Sequence, residues 1–296
     1  MKKYQTIICS GLILTIALTS IFSCQKSTLT SPSMQSIDSK TEFMNATNGV
    51  DNFDSTVNED FNLILDADDA LPKKKSKCYT VTYSPSRSVY PHTKTIDYGT
   101  GCTGAAGVTK RGKIIITYYT PKMEAQGRYS EITYQNYYVN NIHVEGSIKV
   151  NKSTNSSNQI VFKHIVHKTI TTPEGDSKNW NSNLDWTLIQ GGNTNAISDD
   201  VYQITGHSEG KETLGNVEAI NWQSDVDKNN PLIKPQACKR KVQGGMIVKI
   251  KIKACKDLNE YLDYGDGSCD NRATLIINGS APQQVTLPLR FWPLNQ

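Results

Sequence analysis

The chain has 296 residues, a formal net charge of +4, 37% hydrophobic residues and 20% charged ones. That length suits one large domain or two small ones, and the composition excludes a multi-pass membrane protein, a collagen-like chain and a wholly disordered one. With 32 basic residues against 28 acidic ones, charge gives no support for nucleic acid as a partner.

The N-terminus carries an address. Lys2 and Lys3 precede an apolar or small run from Ile7 to Ile21, and Phe22-Ser23-Cys24 leads into polar Gln25-Lys26-Ser27. A run of about 15 residues is short for a membrane span, which needs about 20, and it has the three-part form of an export signal. Under an ordinary signal-peptide reading Cys24 is incidental. The small Ser23 directly before it resembles instead the lipobox of bacterial lipoproteins. That resemblance implies a signal peptide over 1–23, a diacylglycerol thioether on Cys24 and a mature chain of 24–296. The expected cofactor list is otherwise empty, the covalent lipid on Cys24 aside. Two or three acyl chains give stable attachment where one is marginal. Removing 1–23 leaves 30 basic against 28 acidic residues, so lipid and not charge is expected to hold the body to the membrane.

Residues 25–50 are rich in Ser, Thr and Asn without an apolar period, the composition of a flexible spacer. Asp51, Asp54, Glu59, Asp60, Asp66, Asp68 and Asp69 follow, then Lys73, Lys74, Lys75 and Lys77. Val57, Phe61, Ile64 and Leu65 fall at helical spacing and predict one short helix within 55–70. No EF-hand spacing is present, so a solvated linker is the better reading of these acids than a calcium site. As a coil, a spacer of about 50 residues spans ~40 Å.

Beyond Lys77 the period becomes two. Apolar or small residues alternate with polar ones over 142–150, and Lys249, Lys251 and Lys253 share one face of 246–254. Such strands are packed on one side and wet on the other, which favours antiparallel pairing. Further strands are predicted near 79–84, 113–120, 129–138, 160–171, 184–190, 201–206, 217–222, 273–278 and 284–291, between turn clusters at 151–158, 172–177, 191–195, 225–231 and 265–268. The fold expected for 76–296 is all-β: about eleven strands in a broad antiparallel sheet, open, curled or sandwich-like. An outer-membrane barrel is disfavoured, because the lysine row of 246–254 would have to face lipid.

Two turns echo each other. Ile96-Asp97-Tyr98-Gly99-Thr100-Gly101-Cys102 and Leu262-Asp263-Tyr264-Gly265-Asp266-Gly267-Ser268-Cys269 both read apolar-Asp-Tyr-Gly-x-Gly, then cysteine, then a strand. The glycines permit positive φ and the Asp can accept from a nearby backbone N–H. A duplicated half-domain and two independently similar turns are both open readings. With the lipobox and Gly112-Lys113, these turns resemble a group of uncharacterised lipoproteins of Bacteroidetes-type bacteria over roughly 78–280. The resemblance implies an envelope lipoprotein and no particular chemistry. In some of these bacteria acids just after the lipidated cysteine direct export to the cell surface. Here Gln25-Lys26-Ser27 stands there and the first acid is Asp38, so the expected location is the outer membrane, on its periplasmic face.

Chemistry leaves a fainter trace. Once Cys9 and Cys24 are set aside, Cys78, Cys102, Cys238, Cys255 and Cys269 permit at most two disulfides in an oxidising compartment. Cys255 and Cys269 flank a predicted hairpin and are the first pairing expected. No CxxC or HExxH occurs, and no GxSxG or glycine loop is read as a catalytic or phosphate-binding motif, so no catalytic residue and no metal ligand is assigned. His92, His143, His164, His167 and His207 are read as surface histidines, His143 beside Glu145. Glu131, Glu145 and Asp185 are the carboxylates that could pair as in a glycosidase. The aromatics, with 14 Tyr and 4 Trp against 6 Phe, favour rings with a polar edge. Tyr137, Tyr138, Trp180 and Trp222 are the candidates for stacking on a sugar or peptide, against a core reading for each. The function expected is non-enzymatic, binding or structural, with the membrane, a glycan or another envelope protein as partner. A glycan-binding lipoprotein of a nutrient-uptake system is second and an envelope hydrolase third.

Overall fold

A computed structural model describes residues 78–104, 107–121, 127–194, 196–215, 217–238, 240–253 and 257–287. The signal peptide, Cys24, the spacer, the helix predicted within 55–70 and Cys255 lie outside the described residues. Fifteen strands are described. The first part of the chain forms β1 (Thr80–Ser84), β2 (His92–Asp97), β3 (Cys102–Thr103), β4 (Thr109–Tyr118) and β5 (Gly127–Val139). The middle forms β6 (Ile142–Thr154), β7 (Ile160–Thr171), β8 (Ser177–Gln190), β9 (Val201–Leu214) and β10 (Val217–Val226). The last are β11 (Leu232–Pro235), β12 (Gln243–Ile252), β13 (Leu258–Asp266), β14 (Arg272–Ile277) and β15 (Gln283–Thr286). Among the described residues the helical element is one 3-10 turn, Ile197–Asp199, and no helix is long and apolar enough to cross a membrane.

All fifteen strands belong to one antiparallel sheet in which most neighbours along the chain are neighbours in space, so the expected broad antiparallel all-β architecture is observed. The sheet is open, with β1 and β15 at its edges. Two departures interrupt the meander. β3 pairs only with the start of β4, and β10 and β11 share the position between β9 and β12. Asp225 pairs with His207 and Leu232 with Ile204, so seven steps on one strand oppose three on the other and 227–231 loops out. The loop is pinned where the Tyr261 hydroxyl donates to Asp227 Oδ2 at 3.1 Å and Asn230 Nδ2 donates to Tyr261 Oη at 3.3 Å.

One face of the sheet is the core. Side chains alternate in and out along each strand, and the inward residues from β2 to β14 join into a single buried cluster. Strands two apart in a flat sheet lie about 10 Å from one another. Yet Tyr129 of β5 reaches Phe162 of β7 at 6.1 Å between ring centroids, and Phe162 reaches Tyr202 of β9 at 6.2 Å. The rings converge, so the apolar face is concave and the sheet curls around it. Register explains how large side chains fit. Trp180, Gly210 and Trp222 fall in one cross-strand row, and Ser182, Ser208 and Ser224 fill the next. A Cβ on Gly210 would come within 2.5 Å of Trp222 Cζ2.

The predicted strands were too few and too short for the same reason. β2 carries His92 and Lys94 inward, and the first half of β8 and second half of β9 carry Ser182, Ser208, Gly210 and Glu212 inward. Polar and glycine residues on the core side hide a strand from a hydrophobic period. For the same reason His92 and His164 are not the surface histidines expected. Both are buried, His164 completely, with its ring parallel to Trp186 at 5.0 Å between centroids. Desolvation drives its pKa down to about 3, so it is neutral.

Among the described residues two disulfides are present, Cys78–Cys102 and Cys238–Cys269. The expected Cys255–Cys269 bridge is thereby corrected: the chain before β12 brings Cys238 beside the Asp266–Cys269 turn, a neighbour that sequence distance conceals. The pairing extends the echo between the two turns. In each, a cysteine precedes a strand pair, the Asp accepts from the Gly two residues on, at 2.8 Å for Asp97 and 2.9 Å for Asp263, and a second cysteine closes the unit. Tyr98 and Tyr264 both turn into the core, with Lys110 Nζ 5.7 Å from one ring centroid and Lys241 Nζ 5.2 Å from the other.

Candidate functional site

An irregularity in the β4–β5 ladder builds a surface feature with the makings of a site. Arg111 pairs with Tyr138 but Lys113 pairs with Gln135, so β5 carries an extra residue, a β-bulge. Asn136 adopts a φ of 46° and Gly112 a φ of 81°. Only glycine fits at 112, because a Cβ there would lie 1.9 Å from the Asn136 carbonyl oxygen. The extra residue flips the phase of β5. Tyr137 and Val139 turn into the core and Tyr138 turns to the outer face.

Arg111, Tyr138 and His143 then form one outer-face row across β4, β5 and β6. The Arg111 guanidinium carbon stands 3.7 Å from the Tyr138 ring centroid. His143 stacks from the neighbouring strand at 4.5 Å and 20°, and its Nδ1 lies 3.7 Å from Glu145 Oε2. A cation over an exposed aromatic face contributes about 0.5–1 kcal/mol, enough to bias the guanidinium to lie on the ring.

The Asp97-Tyr98-Gly99 turn forms the opposite wall. Gly112 N–H donates to Gly99 O, and Tyr98 N–H donates to Gly112 O, each at 2.9 Å, tying turn to bulge. Asp97 is committed on both oxygens, accepting from Gly99 N–H at 2.8 Å and pairing with Lys113 Nζ at 3.1 Å. The Gly99 hydrogen bond first, and Lys113 second, hold its carboxyl below the usual carboxylate range. Between the walls lies an open cleft of about 600 Å³, with Thr100, Gln135 and Asn136 completing its lining. Asp97 and Lys113 cancel, which leaves the charge of Arg111. That side chain is exposed, and among the described residues it has no hydrogen-bond or ion-pair partner; its contact is the Tyr138 ring.

Of the four stacking candidates, only Tyr138 reaches this cleft. Trp180, Trp222 and Tyr137 are core residues, at 2%, 3% and 5% exposure. Tyr138 itself is flanked by Arg111 from β4 and His143 from β6, so its faces are already covered. The three carboxylates are not brought together either. Glu131 sits by Lys149, with which it pairs in register, and accepts from the Tyr119 hydroxyl at 3.1 Å. Glu145 is four residues from Lys149 along β6, about 13 Å away, and Asp185 lies three strands from Glu131, about 14 Å. Both exceed the ~5–10 Å that a two-carboxylate glycosidase uses. The remaining outer histidines hydrogen-bond across strands, His167 with Asn181 at 2.7 Å and His207 with Asp225 at 2.8 Å. Among the described residues no group of three or more His, Cys, Asp or Glu side chains is placed to hold a metal ion.

A second cluster is structural. Lys234 is buried beside the Cys238–Cys269 bridge and donates to the carbonyls of Pro235, at 2.9 Å, and Cys238. Burial first, and Lys241 second, lower its pKa to about 8. It clamps the turn that carries the disulfide.

No family model, curated protein or solved structure matches the chain. Sequence reasoning missed Arg111. The signal that was present is the break in alternation: Gly112 inside an apolar strand, and the polar pair Gln135-Asn136 inside a run of tyrosines.

Proposed function

We propose that the protein is a lipid-anchored component of the bacterial cell envelope, held at the periplasmic face of the outer membrane through Cys24, with a non-enzymatic binding role. The anchor rests on the apolar run Ile7–Ile21 ending at Ser23-Cys24 and on the family resemblance of its turns. The observation that carries the binding role is the open outer-face cleft, with a guanidinium laid on an aromatic ring and its hydrogen-bond donors unused. Such a guanidinium, biased onto the ring and solvent-facing, is suited to hold a ligand, and among the described residues no hydrogen bond or ion pair of its side chain ties it into the fold. A glycan-binding lipoprotein of a nutrient-uptake system is the second reading, favoured by the neutral polar side chains Thr100, Gln135 and Asn136 at the cleft, which suit hydroxyl groups. The wide separation of Glu131, Glu145 and Asp185 counts against a two-carboxylate hydrolase.

Two measurements test the proposal. Intact mass spectrometry of protein isolated from native membranes is expected to find the chain starting at an acylated Cys24; an unmodified Cys24, or a leader still attached, refutes the anchor. A glycan array probed with the detergent-solubilised protein is expected to show retention that Tyr138→Ala reduces, because it removes the ring on which Arg111 lies. Retention by no glycan refutes the second reading and leaves a protein partner to be sought at the cleft.

A further inference from the structure

We propose that the outer-face cleft binds a small polyhydroxylated carboxylate, a sugar acid, with Arg111 as the residue that receives the carboxylate; this deepens the binding role proposed above and rests on it.

Three features of Arg111 point to that chemistry. The guanidinium is a planar fork whose N–H edges match a carboxylate in bidentate fashion. With one face on Tyr138 at 3.7 Å it is oriented before any ligand arrives, so little freedom is lost when the pair forms. The edges are unspent, because Arg111 has no hydrogen-bond or ion-pair partner among the described residues.

Charge sets the ligand's valence. Among the described residues Asp97, Arg111 and Lys113 are the acidic and basic side chains lining the cleft. Asp97 and Lys113 neutralise each other at 3.1 Å. A single positive charge remains, which matches one carboxylate and leaves the second charge of a phosphate dianion unmet.

The lining sets the rest. Thr100, Gln135 and Asn136 are neutral groups that both donate and accept, the inventory that hydroxyls need. Gly99 and Gly112 also line the cleft and add no side chain to it. The volume, about 600 Å³, is that of a small-molecule site. Aromatic stacking plays no part, since both neighbours of Tyr138 already cover it.

Saturation-transfer NMR on the detergent-solubilised full chain tests the assignment with sodium glucuronate, glucose and inorganic phosphate as probes. Glucuronate is expected to receive transfer at least fivefold more strongly than glucose, and inorganic phosphate is expected not to displace it at equal concentration. Arg111→Gln should lower the glucuronate signal at least fivefold. Arg111→Lys, which keeps the charge but not the fork, should fall between the two. Arg111 is exposed and its side-chain contact is the Tyr138 ring, so its variants are expected to unfold within roughly 4 °C of the parent, which separates loss of binding from loss of fold. Equal transfer to glucuronate and glucose overturns the proposal, as does an unchanged signal in Arg111→Gln. Full displacement by phosphate overturns it in favour of a phosphate site. The underlying reading fails separately. Retention of neutral glycans without a preference for glucuronate sinks the sugar acid and keeps the binding role, while an unacylated Cys24 sinks the anchor and leaves the cleft untouched.

Discussion

Replacing His164 by leucine should flatten the dependence of stability on pH between 7 and 5. The imidazole is fully buried in β7, pairs in register with Val150 and Leu184, and lies parallel to the Trp186 ring. Its pKa falls from 6.5 to about 3 because burial penalises the charged form. The unfolded chain therefore takes up this proton as pH drops through 6.5 while the folded chain does not. Stability is fully present above 6.5 and is lost progressively down to about 3, at about 1.4 kcal/mol per pH unit. Between pH 7 and pH 5 the parent should lose about 2 kcal/mol from this residue alone. The carboxylates held below their usual range, Asp97, Glu218 and Asp266, act at lower pH and do not confound the window. Denaturant unfolding followed by tryptophan emission at pH 5, 6 and 7 gives both curves. The leucine variant will differ from the parent at pH 7 through packing, so the decisive quantity is how that difference changes with pH. A constant difference across the three pH values would falsify the assignment of a buried neutral imidazole.

Gly210→Ala should destabilise the protein by about 2–3 kcal/mol, since the new methyl would meet Trp222 Cζ2 at 2.5 Å and the Asn179 carbonyl oxygen at 2.6 Å in an already filled row; the same unfolding assay measures it, and a parent-like midpoint would refute the row. The disulfides close separations of 24 and 31 residues, for which loop-closure entropy gives about 3.5 kcal/mol each. Cys238→Ser should lower the melting temperature by roughly 10 °C. Peptide mapping without reduction should return Cys78–Cys102 and Cys238–Cys269, and recovery of a Cys255–Cys269 peptide would refute the pairing.

Most of the sheet was legible because its wet face and packed face alternate. The strand at 142–150 and the lysine-bearing strand at 246–254 appear where the pattern puts them, with Lys249, Lys251 and Lys253 exposed. The pattern failed where the core side is polar or absent. β2 presents His92 and Lys94 inward, and β9 presents Ser208, Gly210 and Glu212. On β9 the glycine is matched by large rings on the strands to either side, Trp180 of β8 and Trp222 of β10, which occupy the space beside Gly210. The candidate site was half legible. The Asp97-Tyr98-Gly99 turn was singled out as a turn, and Tyr138 as a ring with a polar edge. Their meeting was not legible, because a single extra residue at Asn136 decides which of Tyr137 and Tyr138 faces out.

The linear order of residues determined what is local: period two, tight turns with positive-φ glycine, and an apolar leader ending in cysteine. Each depends on contacts or dihedrals within a few residues. Tertiary structure decided what depends on register between strands: which cysteines meet, which histidine loses its water, and that Arg111 lies on Tyr138 above an open cleft. A register shift of one residue moves every side chain of a strand to the other face. No short-range pattern encodes that choice, so those features belong to the folded sheet alone.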